Sequence, residues 1–202
     1  MPEFSRIAPT EADRTPPPQP SFIYIRCSKC FFVAVNECHN GVMTQRTVVQ
    51  IRSFETGDTD AVMTLAPRLT EWVAPWREPA AVLQAVQGWV RASIDTADQD
   101  DHAFYVAIAD DQVVGLVTAC ERAHFTGQVD AYVGELVVSP AWERRGVATR
   151  LMKAAENWAA GRGLPFITLG TGPANQPACG LYASLGYREE LVELTRPVTQ
   201  PS

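Results

Sequence analysis

Hydrophobic and polar positions fall into regular periods only from about Met43 onward. Val48-Val49-Gln50-Ile51-Arg52 alternates as a strand and is stopped by Glu55-Thr56-Gly57-Asp58. Asp58 or Thr59 then caps a predicted helix carrying Ala61, Val62, Leu65 and Leu69 on one face. After a Pro/Trp loop from Trp72 to Pro79, a second helix repeats the pattern with Val82, Leu83, Val86, Trp89 and Val90. Phe104–Ala109 is an apolar run, and Asp110-Asp111 turns it back into Val113–Val117, which predicts a hairpin. A turn at Thr126-Gly127 leads to a strand over Tyr132–Val138, ended by Pro140. Residues 146–162 give the strongest helical period, through Val147, Leu151, Ala154, Ala155, Trp158 and Ala159, with Gly161 and Gly163 to end it. A strand at Phe166–Leu169, a short helix from Asn175 to Leu185 stopped by Gly186, and a last strand at Leu191–Leu194 complete the series. The layout is α+β, mostly antiparallel hairpins with one strand–helix–strand crossover.

The first stretch of the chain differs. Six of its fifteen prolines lie in residues 1–20, including Pro16-Pro17-Pro18, which favours extended backbone. Phe22–Ile25 and Cys30–Val35 are short apolar runs without a matching pattern. The expectation is an atypical, dispensable extension over 1–42 and a folded domain over 43–202. Cys27, Cys30, Cys38 and His39 could ligate zinc, but their spacing matches no familiar zinc module.

Composition narrows the classes. Hydrophobic residues at 46% and charged residues at 20% suit a globular chain of 202 residues. No apolar run approaches the ~20 residues of a bilayer span, and the start lacks the basic and apolar regions of a secretory signal. Five cysteines, an odd number, argue against a disulfide framework and for a reducing, cytoplasmic setting. Residues 47–202 hold twelve basic against nineteen acidic residues, whereas 1–46 hold five against four. An acidic main domain disfavours nucleic-acid partners and suits a cationic one.

Candidate chemistry concentrates after the Tyr132–Val138 strand. Arg144 and Arg145 precede Gly146, which opens the strongest helix. Helix starts expose free N–H groups and a positive dipole end, so Gly146-Val147-Ala148-Thr149 can receive a phosphate, with Arg144, Arg145 and Arg150 adding charge. An ordinary arginine-rich helix start has the same pattern. No P-loop is present, and Gly170-Thr171-Gly172 lacks the third glycine of a dinucleotide fingerprint.

Val138-Ser139-Pro140-Ala141-Trp142-Glu143-Arg144-Arg145-Gly146-Val147-Ala148-Thr149-Arg150-Leu151 resembles the pyrophosphate-binding motif of the GNAT superfamily of N-acetyltransferases. Asn175-Gln176-Pro177-Ala178-Cys179-Gly180-Leu181-Tyr182-Ala183-Ser184-Leu185-Gly186-Tyr187 resembles its second motif. The resemblance covers about residues 47–198 and departs at Glu143, where the family usually has Gln or Arg. It implies a mixed, mostly antiparallel central sheet with helices on both faces and a splayed central strand pair, for which Gly134 would supply the irregularity. It implies acetyl-coenzyme A as cosubstrate and a small-molecule amine as acceptor, with no nucleic acid or membrane partner and with a homodimer left open.

On that resemblance, the main chain of Val137 and Val138 would meet the pantetheine arm. Arg144, Arg145, Gly146, Val147, Ala148, Thr149 and Asn175 would contact the coenzyme. Tyr182 would serve as general acid and Glu135 as base, with Trp72 and Trp76 lining the acceptor site. Each has a plainer alternative: Tyr182 in helix packing, Glu135 in a salt bridge or at the rim, Asn175 as a helix cap, the tryptophans in packing. His124 and Glu121 are weaker candidates for the base. A coenzyme-binding sensor without turnover, a protein or peptide acetyltransferase, and a regulator using the N-terminal cysteines remain as other classes.

Overall fold

The computed structural model describes residues 48–198. The expectations for 1–42, including the cysteine cluster, lie outside these residues. Five strands form one sheet in the order β1-β2-β3-β4-β5: β1 (Gln50–Ser53), β2 (His102–Ala109), β3 (Gln112–Ala123), β4 (Val129–Val138) and β5 (Ile167–Leu169). The first three junctions are antiparallel and the last is parallel. The helices are α1 (Thr59–Leu65), α2 (Pro79–Asp95), α3 (Val147–Gly161) and α4 (Gln176–Ser184). The helix expected to run to Leu69 stops at Leu65, and a 3-10 turn over Ala66–Thr70 takes its place.

Strand alternation sorts the core into two layers. On one face Ala103, Ala107, Val117, Ala119 and Val133 meet Val147, Leu151, Met152 and Ala155 of α3. On the other, Phe104, Val106, Leu116 and Val137 meet Val62 and Leu65 of α1 and Val90 of α2. The β2–β3 hairpin closes through Asp110 and Asp111, both at positive φ (48° and 58°), the backbone of a tight two-residue turn. Between β4 and β5 the chain crosses over through α3, as the parallel pairing requires. No helix among the described residues is long and apolar enough to cross a membrane.

One expected element is absent. Leu191–Leu194 forms no strand, and Leu191 and Leu194 are 86% and 90% exposed. Four residues, three of them apolar, supply too little buried surface to hold a strand without a neighbouring edge.

A candidate active site where the sheet splits

The β3–β4 ladder is regular from Gly115↔Val138 to Val117↔Leu136 and resumes at Ala119↔Val133. Gly134 and Glu135 therefore both stand opposite Thr118, which makes a bulge in β4. Gly134 belongs there because a Cβ would come within 3.0 Å of Thr118 Oγ1. On its other side β4 pairs with β5 only from Ala131↔Ile167 to Val133↔Leu169. Beyond that point the two strands part, and a cleft of about 210 Å³ opens. Gly134, Glu135 and Leu136 form its floor, with Gly170–Gly172, Trp72, Trp89, Asn175 and Tyr182 around it. A side chain on Gly172 would meet the main-chain oxygen of Trp72 at 3.1 Å, so a glycine lets the two walls close together.

Glu135 is 6% exposed. Its Oε2 accepts from Ser93 Oγ of α2 at 3.0 Å and from Thr118 Oγ1 of β3. Its N–H donates to the same Thr118 oxygen at 3.0 Å. Oε1 has no hydrogen bond among the described residues, yet no buried oxygen is left unsatisfied, so Oε1 lies open to the cleft. No cation pairs with this carboxylate among the described residues. A buried acid without a cation is costly and uncommon outside functional sites. The salt-bridged alternative for Glu135 is thereby removed.

Tyr182 reaches the cleft from α4, whose cap is Asn175: Asn175 Oδ1 accepts from Ala178 N–H at 3.2 Å. The Tyr182 hydroxyl has no hydrogen-bond partner among the described residues and is pushed up to about 12, first by burial and then by the nearby Cys179 thiol. It holds its proton throughout the physiological range and can donate it. Its ring also leans on Tyr187 at 5.8 Å, so packing and an open hydroxyl coexist.

The start of α3 offers an anion cradle. Arg144 and Gly146 both take positive φ (58° and 75°), and Gly146 is the N-cap, without a side-chain cap bond. The N–H groups of Gly146, Val147, Ala148 and Thr149 have no acceptor among the described residues, the first helical bond being Arg150 N–H to Gly146 O at 3.2 Å. Nothing lies within 4 Å of where a Gly146 side chain would project, so a ligand can approach the backbone. Arg144 and Arg145 are exposed, the latter 4.9 Å over the Trp142 ring. Arg150 is committed elsewhere, donating to Val49 O at 3.2 Å.

The ladder also sorts the main chain. Ser139 N–H donates to Val114 O on the β3 side, so by alternation Val137 faces β3 while Leu136 and Val138 face the open edge. Arg68, from the 3-10 turn, donates to the Val138 carbonyl and also binds Glu71 and Glu143, the latter at 2.7 Å. Those two carboxylates hold its guanidinium above the ordinary range. Sequence reasoning missed Arg68, since one arginine beside Pro67 carries no pattern. It neutralises the acid at the unusual Glu143.

Of the tryptophans, Trp72 lines the cleft, whereas Trp76 does not and is 62% exposed. Trp89, expected on the buried face of its helix, is 55% exposed and lines the cleft instead. Its place one residue before buried Val90 puts it at the margin of the apolar stripe. His124 and Glu121 do not line the cleft: Glu121 pairs with Arg162, and His124 bonds Thr126.

Comparison with known proteins agrees with this fold. The family model described as the acetyltransferase (GNAT) family matches residues 66–187. A streptothricin acetyltransferase of Escherichia coli is 34% identical over 107 residues, covering 53% of this chain and 59% of that protein. An aminoglycoside N(6')-acetyltransferase type 1 of Salmonella typhimurium is 28% identical over 96 residues, covering 45% and 66%. The chain thus matches somewhat under two thirds of each relative's length. Among solved structures, a putative acetyl transferase from Pyrococcus furiosus superposes with a TM-score of 0.62 at 19% identity, over 75% of this chain and all of that one. The aminoglycoside N-acetyltransferase AAC(6')-Iy in complex with CoA gives 0.57 at 21%, over 77% and 99%. These two likenesses speak for the fold.

Proposed function

Because the chain belongs to the acetyltransferase (GNAT) family, we propose that it moves an acetyl group from acetyl-coenzyme A to the amine of a small molecule, by direct attack in a ternary complex. The observation that carries this reading is Glu135, a buried acid without a cation, whose open oxygen faces the cleft formed where β4 and β5 part. The relatives named for streptothricin and aminoglycosides support a small-molecule acceptor, and the acidic main domain suits a cationic one.

Acetyl-coenzyme A supplies the acetyl group and leaves as the thiol. The free N–H groups from Gly146 to Thr149 hold its pyrophosphate, with Arg144 and Arg145 adding charge. The open edge at Leu136 and the Val138 N–H takes the pantetheine arm, the Val138 carbonyl being held by Arg68, Asn175 borders the cleft, and a main-chain N–H there polarises the acetyl carbonyl. On the α2 side, Trp72 and Trp89 receive the amine. Glu135 Oε1 takes a proton from the ammonium, freeing the nitrogen lone pair to bond the acetyl carbon. As the carbon–sulfur bond breaks, Tyr182 gives its proton to the departing sulfur, and the second proton that the nitrogen sheds on becoming an amide restores the Tyr182 hydroxyl.

A turnover screen with acetyl-coenzyme A against amines, polyamines, amino acids and peptides, read by free-thiol release, tests the reading. Turnover is expected with polyamine-like small molecules, and Tyr182→Phe should lower it roughly 10²–10⁴-fold with coenzyme affinity little changed. Calorimetric binding of the coenzyme without thiol release for any amine would instead make the chain a sensor.

A further inference from the structure

We propose that Thr118 and Ser93 are positioning residues that clamp the Glu135 carboxylate through its Oε2 oxygen, leaving Oε1 as its single proton-accepting atom. The inference rests on the reading of Glu135 as base. It starts from the bulge. A β3 residue facing two β4 residues cannot keep the regular ladder, and the Thr118 hydroxyl substitutes for it by accepting the Glu135 N–H at 3.0 Å. A hydroxyl has one proton to give, and that proton goes to Glu135 Oε2. Thr118 thus closes a small ring with one residue, tying the acid's backbone to its own side chain. Ser93 Oγ donates to the same Oε2 at 3.0 Å from α2, the opposite layer. Two neutral donors, one from the sheet and one from the helix packed on it, fix the side chain by one oxygen without a cation.

The groups facing Glu135 leave the acid limb of a rate profile to it. From β3, the Cys120 thiol is pushed up by burial, with Glu135 itself among the charges that raise it. From α4, Tyr182 is pushed up to about 12. Helix α2 presents Ser93, while its Arg91 and Asp95 are exposed. The 3-10 turn contributes Leu69 to the cleft and keeps Arg68 on Val138, Glu71 and Glu143.

The test measures kcat/KM against pH for the full chain, with acetyl-coenzyme A and the best amine of the screen. Removing a donor to a carboxylate favours its protonated form, so Thr118→Val should move the acid limb to higher pH. It should lower kcat/KM about 10–100-fold with the coenzyme KM unchanged. Thr118→Ser, which keeps the hydroxyl, should restore both. Ser93→Ala should move the limb in the same direction by less. A wild-type limb in Thr118→Val, or a loss that Thr118→Ser fails to rescue, overturns the clamp. Should Thr118→Val not fold, because the Glu135 N–H loses its acceptor, Ser93→Ala decides alone: an unmoved limb refutes the proposal. Glu135→Gln separates the two levels. If it keeps the acid limb, the base assignment is wrong; if it removes the limb while Thr118→Val and Ser93→Ala leave it unmoved, only the clamp is wrong.

Discussion

Asp58 and Glu135 are carboxylates buried to nearly the same extent, 8% and 6% exposed, in opposite circumstances. Asp58 sits between β1 and α1 and meets Arg52 through two bonds, at 2.6 and 2.8 Å, while also accepting the Glu55 N–H at 2.9 Å. Its charge is answered in full, and the hydrogen bonds from Arg52 hold its carboxyl below its usual 3.8. Glu135 lies where the sheet stops pairing, with two hydroxyls on one oxygen and the cleft on the other. Burial alone distinguishes nothing between them. What differs is whether the surroundings complete the acid's bonding, and that separates a group that holds the fold from one free to react.

The comparison breaks most sharply at Glu135. Glu135→Gln should lower turnover by roughly 10²–10⁴-fold while thermal stability holds or rises, since an uncompensated buried charge is removed. A drop in melting temperature with near-normal turnover would place Glu135 beside Asp58 as a structural acid. Next is the open region's other wall. Gly146→Val puts a side chain on a left-handed residue where a ligand would approach, and should weaken coenzyme binding about 10–100-fold by calorimetry. Unchanged affinity would move the pyrophosphate elsewhere.

Asp58→Asn should do the reverse of Glu135→Gln. Loss of charged hydrogen bonds should cost about 2 kcal/mol, or roughly 4–8 °C in Tm for a domain of this size, with turnover per folded molecule almost unchanged. The smallest effect is in pH. Because the folded Asp58 carboxyl lies below 3.8, its contribution is complete above that value and disappears as pH falls through the lower folded value. The stability gap between wild type and Asp58→Asn should therefore be flat from pH 7 to about 5 and close below about 4, as measured by urea unfolding. A gap that persists in acid would mean Arg52 stabilises the corner by packing.

Much of this was legible along the chain. The α3 period appears in the buried Val147, Leu151, Ala155 and Ala159, and the Asp110-Asp111 turn in its two positive φ angles. Three readings failed for want of a partner. The Leu191–Leu194 segment has no strand beside it, Trp89 turned from core to cleft at the edge of its stripe, and Trp76 lies outside the cleft. Arg68 gave no signal, because its partners Val138 and Glu143 are 70 and 75 residues away.

The sequence by itself determined most of the elements, the glycine that lets β4 bulge and the glycine that opens α3, because helix period, strand alternation and positive φ are settled by sterics among neighbouring residues. Tertiary structure alone decided which buried acid is paired. Ser93 is 42 residues from Glu135 and Thr118 is 17, and only the packing of α2 and β3 on the same bulge aims both hydroxyls at one oxygen and leaves the other open.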